Sequence, residues 1–199
     1  MQETSDLTPS GMTAIIGLSS AEAAEVCDIA GRGDVLEVAN ENAPKQVVLS
    51  GSLAAVERAE EAARSRGAKA VRLRVAGAFH SALMEPALDR VREAISHLEF
   101  REPSITVVPN ASGRATASPS ALRDLLSRHI VSPVRWERSM RALADEGIVG
   151  YLEAGPGDVL TKLVRRSVPG AFTFAVGTPA DAAAVPESLT EIDLERSPR

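Results

Sequence analysis

The sequence predicts an α/β protein in which a strand–helix–strand–strand–helix–strand unit is followed by strands that alternate with helices. Runs of β-branched and aliphatic residues alternate along the chain with segments of helical periodicity. Segments of the first unit begin or end at capping and turn residues. The 199 residues are 44% hydrophobic but only 3% aromatic, so the core has to be built mainly from Val, Leu, Ile and Ala.

The first three elements of the unit have separate local signals. Thr13–Leu18 is a short β-branched and aliphatic run, which is typical of a strand. A helix is predicted to follow as far as Ala30, because Ser19 or Ser20 supplies an N-cap. A glycine-rich turn ends it, and Asp34–Asn40 then alternates apolar and polar residues as a half-buried strand does.

The second half of the unit is a strand, a helix and a strand. A turn at residues 42–45 leads into the strand Gln46–Leu49, and Ser52 caps a helix that runs to about Arg66. Ala70–Val75 alternates again and is the last strand. This order is that of a ferredoxin-like βαββαβ subdomain, which we therefore predict over residues 13–75 after a lead of residues 1–12.

Residues 76–177 form the second predicted region, in which the alternation of strands and helices favours a parallel sheet. Three strands are few for a doubly wound core, so this parallel sheet is expected to be incomplete. From residue 178 to residue 199 the chain is rich in Ala, Pro and charge without periodicity, which predicts a loosely ordered tail. The predicted strands of the region are 105–109, 148–153 and 171–176, and its predicted helices are 82–97, 118–130, 134–145 and 158–168.

Composition excludes several classes of function. The net charge of −5 argues against nucleic-acid binding, which needs a basic surface. One cysteine, Cys27, allows neither an internal disulfide nor a zinc cluster, and no metal-ligand spacing occurs. No apolar run reaches membrane-spanning length. We therefore expect no nucleic-acid, membrane or metal partner and a cytoplasmic location.

The three histidines are the candidate acid–base residues. His80 lies in an irregular loop after a predicted strand, where it is either a general base or a capping, partly buried histidine. His97 ends a helix and is interpreted as structural, whereas His129 fits either role. The chain has no Gly-x-Ser-x-Gly elbow, and Ser52 is better explained as an N-cap. The residues thus provide a base without a nucleophile.

Four segments resemble a known family. Residues 77–81 (GAFHS) resemble the histidine motif of malonyl-CoA:acyl-carrier-protein transacylases and related polyketide acyltransferase domains. Residues 39–51 (ANENAPKQVVLSG), 132–136 (SPVRW) and 153–160 (EAGPGDVL) resemble three further blocks of that family, in the family's order. The resemblance runs from about residue 12 to residue 166.

The resemblance implies both a fold and an activity. The fold is a ferredoxin-like subdomain inserted in an α/β-hydrolase-like acyltransferase domain, with residues 76–177 as the C-terminal part of that domain. The activity is that of an acyl-carrier-protein S-malonyltransferase. An elbow serine takes the malonyl group from malonyl-CoA, and the phosphopantetheine thiol of acyl carrier protein then receives it. The resemblance implies no cofactor besides these substrates, and it leaves fatty-acid and polyketide pathways equally open.

The resemblance also implies roles for individual residues. His80 matches the catalytic histidine, and His129 stands where a Gln or Asn usually orients that histidine. If the backbone carbonyl does the orienting, the exchange is harmless; if the side chain does, His80 takes a different tautomer. Phe79 matches a position linked to malonyl preference. Asn40 and Asn42 match amides near the acyl pocket, although turn-forming asparagines are an equally good interpretation.

The family's serine elbow, oxyanion loop and carboxylate-binding arginine belong to its N-terminal half and have no match here. Residues 1–3 resemble a Met-Gln-Glu inside the family sequence, so we expect a C-terminal portion that starts at an internal methionine and is inactive alone. The alternative is a non-catalytic ferredoxin-like module that binds acyl carrier protein or complements a separate N-terminal half. Six basic residues are candidates for the acidic carrier protein, namely Lys69, Arg72, Arg74, Lys162, Arg165 and Arg166.

Overall fold

The computed structural model of the chain describes Thr4 and residues 8–185. The chain divides into two compact units, residues 1–142 and residues 143–199, which are described separately below. The helices and strands are β1 (Ser10–Ile16), α1 (Ser20–Gly31), β2 (Leu36–Ala43), β3 (Gln46–Ser52), α2 (Leu53–Ser65), β4 (Lys69–Arg72), a 3-10 helix (Ala82–Ala87), α3 (Leu88–Ser96), α4 (Pro119–Ser127), a second 3-10 helix (His129–Val131), α5 (Trp136–Asp145), β5 (Gly150–Ala154), α6 (Val159–Ser167) and β6 (Phe172–Val176).

The first unit contains a four-stranded antiparallel sheet in the order β2-β3-β1-β4. The register places Thr13 of β1 opposite Leu49 of β3 on one side and Arg72 of β4 on the other. All six elements predicted for residues 13–75 are present in the predicted order. β1 begins earlier than predicted, at Ser10, because pairing with Ser52 decides where the strand starts. The predicted lead of residues 1–12 therefore extends too far.

Side chains alternate between the two faces of this sheet, as the strand period of two requires. Ile15 and Leu49 lie in the main core, where they pack with apolar residues of α1 and α2. Met12 and Val48 lie in a second, smaller buried cluster, which includes Ala39. The sheet is therefore apolar on both sides, and the smaller cluster is the one that contacts the loop after β4.

Local sequence signals explain why these elements begin and turn where they do. Ser19 forms a capping box with Glu22 at the start of α1, which satisfies two amides of the helix end. Gly51 is required by close packing, because a Cβ there would lie 2.2 Å from the carbonyl oxygen of Val35. Lys45 adopts φ 56° in the tight turn between β2 and β3.

The rest of the first unit departs from prediction in three places. The helix predicted at 118–130 ends at Ser127 and is followed by a separate 3-10 turn, His129–Val131. The strand predicted at residues 105–109 is wrong, because Val107 only forms an isolated bridge with Thr116. Its β-branched residues favour extended backbone, but strand propensity does not supply a pairing partner. The helix predicted at 82–97 is a 3-10 turn followed by α3, since Pro86 cannot donate an α-helical hydrogen bond.

The second unit contains a parallel βαβ arrangement. β5 and β6 pair in parallel, with Leu152 opposite Phe174, and α6 connects them. The Glu153 carboxylate accepts hydrogen bonds from the backbone amides of Leu160 (3.1 Å) and Thr161 (2.8 Å) at the start of α6. The parallel pairing predicted for this part of the chain is confirmed, although it joins two strands rather than three.

The residues after β6 begin a further helix over the described range 179–185. The Asp181 carboxylate accepts from the Thr178 amide at 2.8 Å, and the Thr178 hydroxyl accepts from the Asp181 amide at 3.2 Å. The predicted loose tail is therefore wrong for residues 178–185, because this reciprocal cap starts a helix. The remainder of that prediction, residues 186–199, lies outside the described residues. Across the part of the chain that is described, no helix has the length and hydropathy to cross a bilayer.

Candidate active site

His80 lies in the loop after β4, with a backbone conformation that is rare for its residue type. Its φ is 61°, in the left-handed region that few residues other than glycine adopt. The His80 amide donates to the Ile130 carbonyl oxygen at 3.0 Å. This bond fixes the backbone, and with it the direction in which the half-buried imidazole points.

The Nδ1 atom of His80 faces two backbone carbonyl oxygens. It lies 3.0 Å from the oxygen of His129 and 3.1 Å from the oxygen of Ser132. A carbonyl oxygen can only accept, so Nδ1 must carry the proton in these contacts. The neutral imidazole then has its lone pair on Nε2, which is the arrangement that a general base requires.

The two carbonyls belong to a short irregular segment after α4. The helix ends at Ser127, and a 3-10 turn, His129–Val131, follows it. Ser132 is extended (φ −114°, ψ 146°), because the next residue is Pro133 and the residue before a proline is disfavoured in the helical region. The backbone thus changes from a 3-10 turn to an extended conformation before Pro133, and the carbonyl oxygens of His129 and Ser132 both face His80.

The imidazole of His129 packs near that of His80 without orienting it. The ring centroids are 5.0 Å apart, with the planes inclined at 53°. Burial lowers the pKa of His129, and the neighbouring His80 lowers it further. His129 contacts Nδ1 of His80 through its backbone oxygen, an atom that any residue type at this position would supply.

The His129 side chain also lines an open, largely apolar cleft of about 400 Å³. Leu125 and Leu126 of α4 form part of its wall, together with Phe100 and Asn110. Leu126 is 44% exposed, so the cleft presents apolar surface to solvent.

Asn40 and Asn42 both lie in β2. Asn40 pairs with Val48 of β3 and also bridges Val134 on the other side. Asn42 falls at an irregularity in the β2–β3 pairing. The predicted turn at residues 42–45 is therefore too long, because Ala43 still pairs within the sheet. The interpretation of these asparagines as turn formers is wrong.

Phe79 is half-buried against the smaller apolar cluster of the sheet, beside Met12, Ala39 and Val48. The chain thus places an aromatic ring on the sheet face and the adjacent imidazole against the carbonyls of residues 129 and 132. His80, His129 and Phe79 are brought together around one loop. Asn40 adjoins it through Val134, two residues beyond the Ser132 carbonyl.

The sequence model of the acyl transferase domain family matches residues 1–186. The chain belongs to this family. It resembles the malonyl CoA-acyl carrier protein transacylase of Salmonella typhimurium, with 39% identity over 181 residues, 90% of this chain and 59% of that protein. The chain spans about three fifths of the length of the curated relatives it matches.

Solved structures share the α/β fold of this acyl transferase chain. An acyl-carrier-protein S-malonyltransferase from Burkholderia pseudomallei superposes with a TM-score of 0.89 at 36% identity, covering 94% of this chain and 61% of that one. A malonyl-transacylase solved in complex with its type II PKS acyl-carrier protein also gives 0.89, at 34% identity, with the same coverage of both chains.

The serine hydroxyls near His80 and in β3, and the Cys27 thiol, are unsuited to act as the nucleophile of an acyl transferase. Ser81, next to His80, is fully buried, and its hydroxyl donates to the Ala78 carbonyl at 2.7 Å. Ser50 is fully buried too, and Ser52 caps α2 through the Ala55 amide. Burial, with smaller contributions from Asp28 and Glu37, raises the pKa of the Cys27 thiol to about 12. That thiol is inert at neutral pH.

Some contacts of the candidate site have no sequence signature. The carbonyls of Ile130 and Ser132 act through the backbone, so their residue types reveal nothing. The Glu37 carboxylate accepts from the Ala82 amide at 3.1 Å and ties the segment after His80 to β2. The alternation of β2 predicts that Glu37 lies on one face of the sheet, but it does not predict the hydrogen bond with the Ala82 amide.

Proposed function

We propose that this chain supplies the general base for transfer of a malonyl group from malonyl-CoA to the phosphopantetheine thiol of acyl carrier protein. The observation that carries the proposal is the pair of carbonyl oxygens at Nδ1 of His80, which leaves Nε2 as a proton acceptor. The names of the relatives support the same reaction, since they are malonyl CoA-acyl carrier protein transacylases.

The reaction moves one proton in each half. Nε2 of His80 takes the proton of a serine hydroxyl while the oxygen attacks the thioester carbonyl of malonyl-CoA. The thioester C–S bond breaks, and the imidazolium returns the proton to the departing CoA thiolate. In the second half Nε2 takes the proton of the carrier thiol, whose sulfur attacks the malonyl ester. The serine oxygen leaves and regains the proton.

The serine is proposed to come from residues outside these 199, which contain no Gly-x-Ser-x-Gly elbow. A base without a nucleophile provides no covalent route, so the 199 residues alone are proposed not to form a malonyl ester. His129 is proposed to act through its carbonyl oxygen, which also accepts from the Ser132 amide at 3.2 Å.

The remaining site residues are proposed to shape the acyl pocket. Phe79 adjoins the base and is proposed to fill the space that an α-methyl group on the substrate would need. Asn40 and Asn42 are proposed to present amides from β2. The βαββαβ order and the sheet order β2-β3-β1-β4 support a ferredoxin-like subdomain, which we propose to be inserted in an α/β-hydrolase-like domain.

A malonyl-transfer assay with radiolabelled malonyl-CoA and phosphopantetheinylated carrier protein tests the proposal. The 199-residue chain is assayed alone and after addition of an acyl transferase segment that contains the serine elbow. We expect transfer only in the combined sample, and its loss with His80→Asn. Transfer by the chain alone, or full transfer with His80→Asn, would refute it. His97→Asn is the matched control, because His97 is an exposed histidine at the end of α3.

The non-catalytic carrier-binding module has less support. Of the basic side chains suggested for that role, Arg72 lies 2.6 Å from the Glu60 carboxylate, and Lys162 lies 2.8 Å from that of Asp158. Arg165 donates to the Thr173 hydroxyl at 2.7 Å. These three side chains are thus engaged within their own units. The combined assay separates the two functions, because a binding module gives no transfer.

A further inference from the structure

The segment that orients His80 is attached to β2 through the backbone of Val134. The Val134 amide donates to the Ala39 carbonyl and the Glu41 amide donates to the Val134 carbonyl, both at 2.8 Å. These bonds form an isolated parallel bridge, and β2 is irregular on both sides of it. Ser132, whose carbonyl faces Nδ1 of His80, lies only two residues before the bridge. The position of that carbonyl therefore depends on how firmly this attachment holds.

An ion pair lies next to the bridge. Nη1 of Arg135 lies 3.0 Å from Oε1 of Glu41, so the residue after Val134 is tied to the strand residue beside it. The side chains are 33% and 21% exposed, respectively, and less solvated than most surface pairs. The Ser20 hydroxyl donates to the same Oε1 at 3.3 Å from the first residue of α1, where a negative charge is also favourable.

Further hydrogen bonds hold the backbone of Arg135. Its amide donates to the Asn110 carbonyl at 2.9 Å, and its own carbonyl accepts from the amide (3.0 Å) and hydroxyl (2.9 Å) of Ser139, which is buried. The guanidinium therefore extends to Glu41 from a backbone that is already positioned. Because the backbone is ordered by these other contacts, formation of the ion pair costs mainly the conformational entropy of the two side chains.

We propose that Glu41 and Arg135 are positioning residues for His80. By holding residues 132–135 on the edge of β2, the pair keeps the Ser132 carbonyl within hydrogen-bonding distance of Nδ1 and stabilises the Nδ1–H tautomer. This proposal rests on the function proposed for His80. Its test measures the tautomer of the His80 imidazole, whereas the proposed function is tested by malonyl transfer. Either proposal can therefore fail while the other stands.

The test is long-range ¹H–¹⁵N NMR of the three histidine imidazoles in the whole chain, well above the ordinary histidine pKa. Glu41→Gln and Arg135→Gln are each expected to lower the ratio of Nδ1–H to Nε2–H tautomer at His80 about twofold to fivefold, the range that a partly exposed ion pair can supply. The charge-reversed double variant, Glu41→Arg with Arg135→Glu, is expected to restore most of the ratio. If the single variants acted only by disturbing the local fold, the double variant would not restore it.

The ion pair between Arg66 and Glu25 provides the matched control, because it has the same 3.0 Å separation and joins elements away from this segment. Arg66→Gln is expected to leave the His80 tautomer unchanged. Folded single variants at Glu41 and Arg135 that keep the original ratio would overturn the proposal. If both single variants unfold, the charge-reversed chain decides. A native His80 tautomer in it supports the pair, whereas an altered tautomer or an unfolded chain contradicts it.

Discussion

Nδ1 of His80 lies 3.0 Å from the backbone carbonyl oxygen of His129, while the two imidazole rings are 5.0 Å apart between centroids. The orienting contact is therefore made by an atom that every residue type has. A change of side chain at position 129 would therefore leave this contact with Nδ1 in place. The His129 imidazole has a separate effect, which concerns stability.

The pH dependence of stability should contain a contribution from His129. Burial and the nearby His80 lower its pKa in the folded chain, so the unfolded chain binds more protons as the pH falls. Stability linked to this group is therefore present above the ordinary histidine pKa and is lost as the pH falls through it. We expect urea unfolding at pH 8 and pH 5.5 to show a smaller difference in His129→Gln than in the original chain. His97→Gln, at an exposed histidine, should leave the difference unchanged.

The left-handed backbone at His80 predicts an unusual order of substitutions. Asn tolerates a φ near 61°, whereas a β-branched residue does not. We expect His80→Val to be less stable than His80→Asn by about 1–2 kcal/mol in urea unfolding. The same two substitutions at His97, where φ is −84°, should differ by much less. Equal stabilities of the two His80 variants would argue against this backbone conformation.

Gly51 should tolerate no side chain. Its added Cβ would lie 2.2 Å from the Val35 carbonyl oxygen and 2.9 Å from the Leu36 Cα, so β2 would have to move. We expect Gly51→Ala to reduce the free energy of unfolding by about 2 kcal/mol or more. Gly150→Ala is the control, because nothing lies within 4 Å of a Cβ there. A Gly51→Ala chain as stable as the control would contradict the packing of β2 on β3.

The carboxylate of Glu153 should protect the first turn of α6. Hydrogen bonds from the Thr161 amide, its hydroxyl and the Leu160 amide lower the pKa of Glu153. Its stabilising effect is thus present above the ordinary glutamate pKa and is lost as the pH falls through the lowered value. We expect Glu153→Ala to lower the hydrogen-exchange protection of the Leu160 and Thr161 amides at neutral pH. Glu146→Ala, at an exposed position, should not change it.

The elements of residues 13–75 were predictable because their signals are local. Ser19 and Ser52 cap the helices that follow them, and alternation identifies the strands. The strand expected at 105–109 failed for the opposite reason, since Val107 has the residue type of a strand but pairs only with Thr116. The end of β2 was misplaced because the pairing of Ala43 with Gln46 depends on the partner strand.

The candidate site was predictable only in part. The histidine motif and the Ser-Pro-Val-Arg-Trp segment singled out His80 and His129 through family resemblance. The sequence left open which atom of His129 faces His80, because a carbonyl has no side-chain signature. The pairing of Glu41 with Arg135 was not foreseen, since 94 positions separate them along the chain. Such contacts follow from the bridge at Val134, which is a property of the folded chain.

The most direct measurement is the ¹⁵N chemical shift of the two His80 ring nitrogens in the original chain at a pH well above the ordinary histidine pKa. The contacts of Nδ1 with the carbonyls of His129 and Ser132 predict a protonated Nδ1 and an unprotonated Nε2. A dominant Nε2–H tautomer would contradict the account, because the lone pair would then lie on Nδ1, facing the two carbonyl oxygens, and Nε2 could not accept a proton.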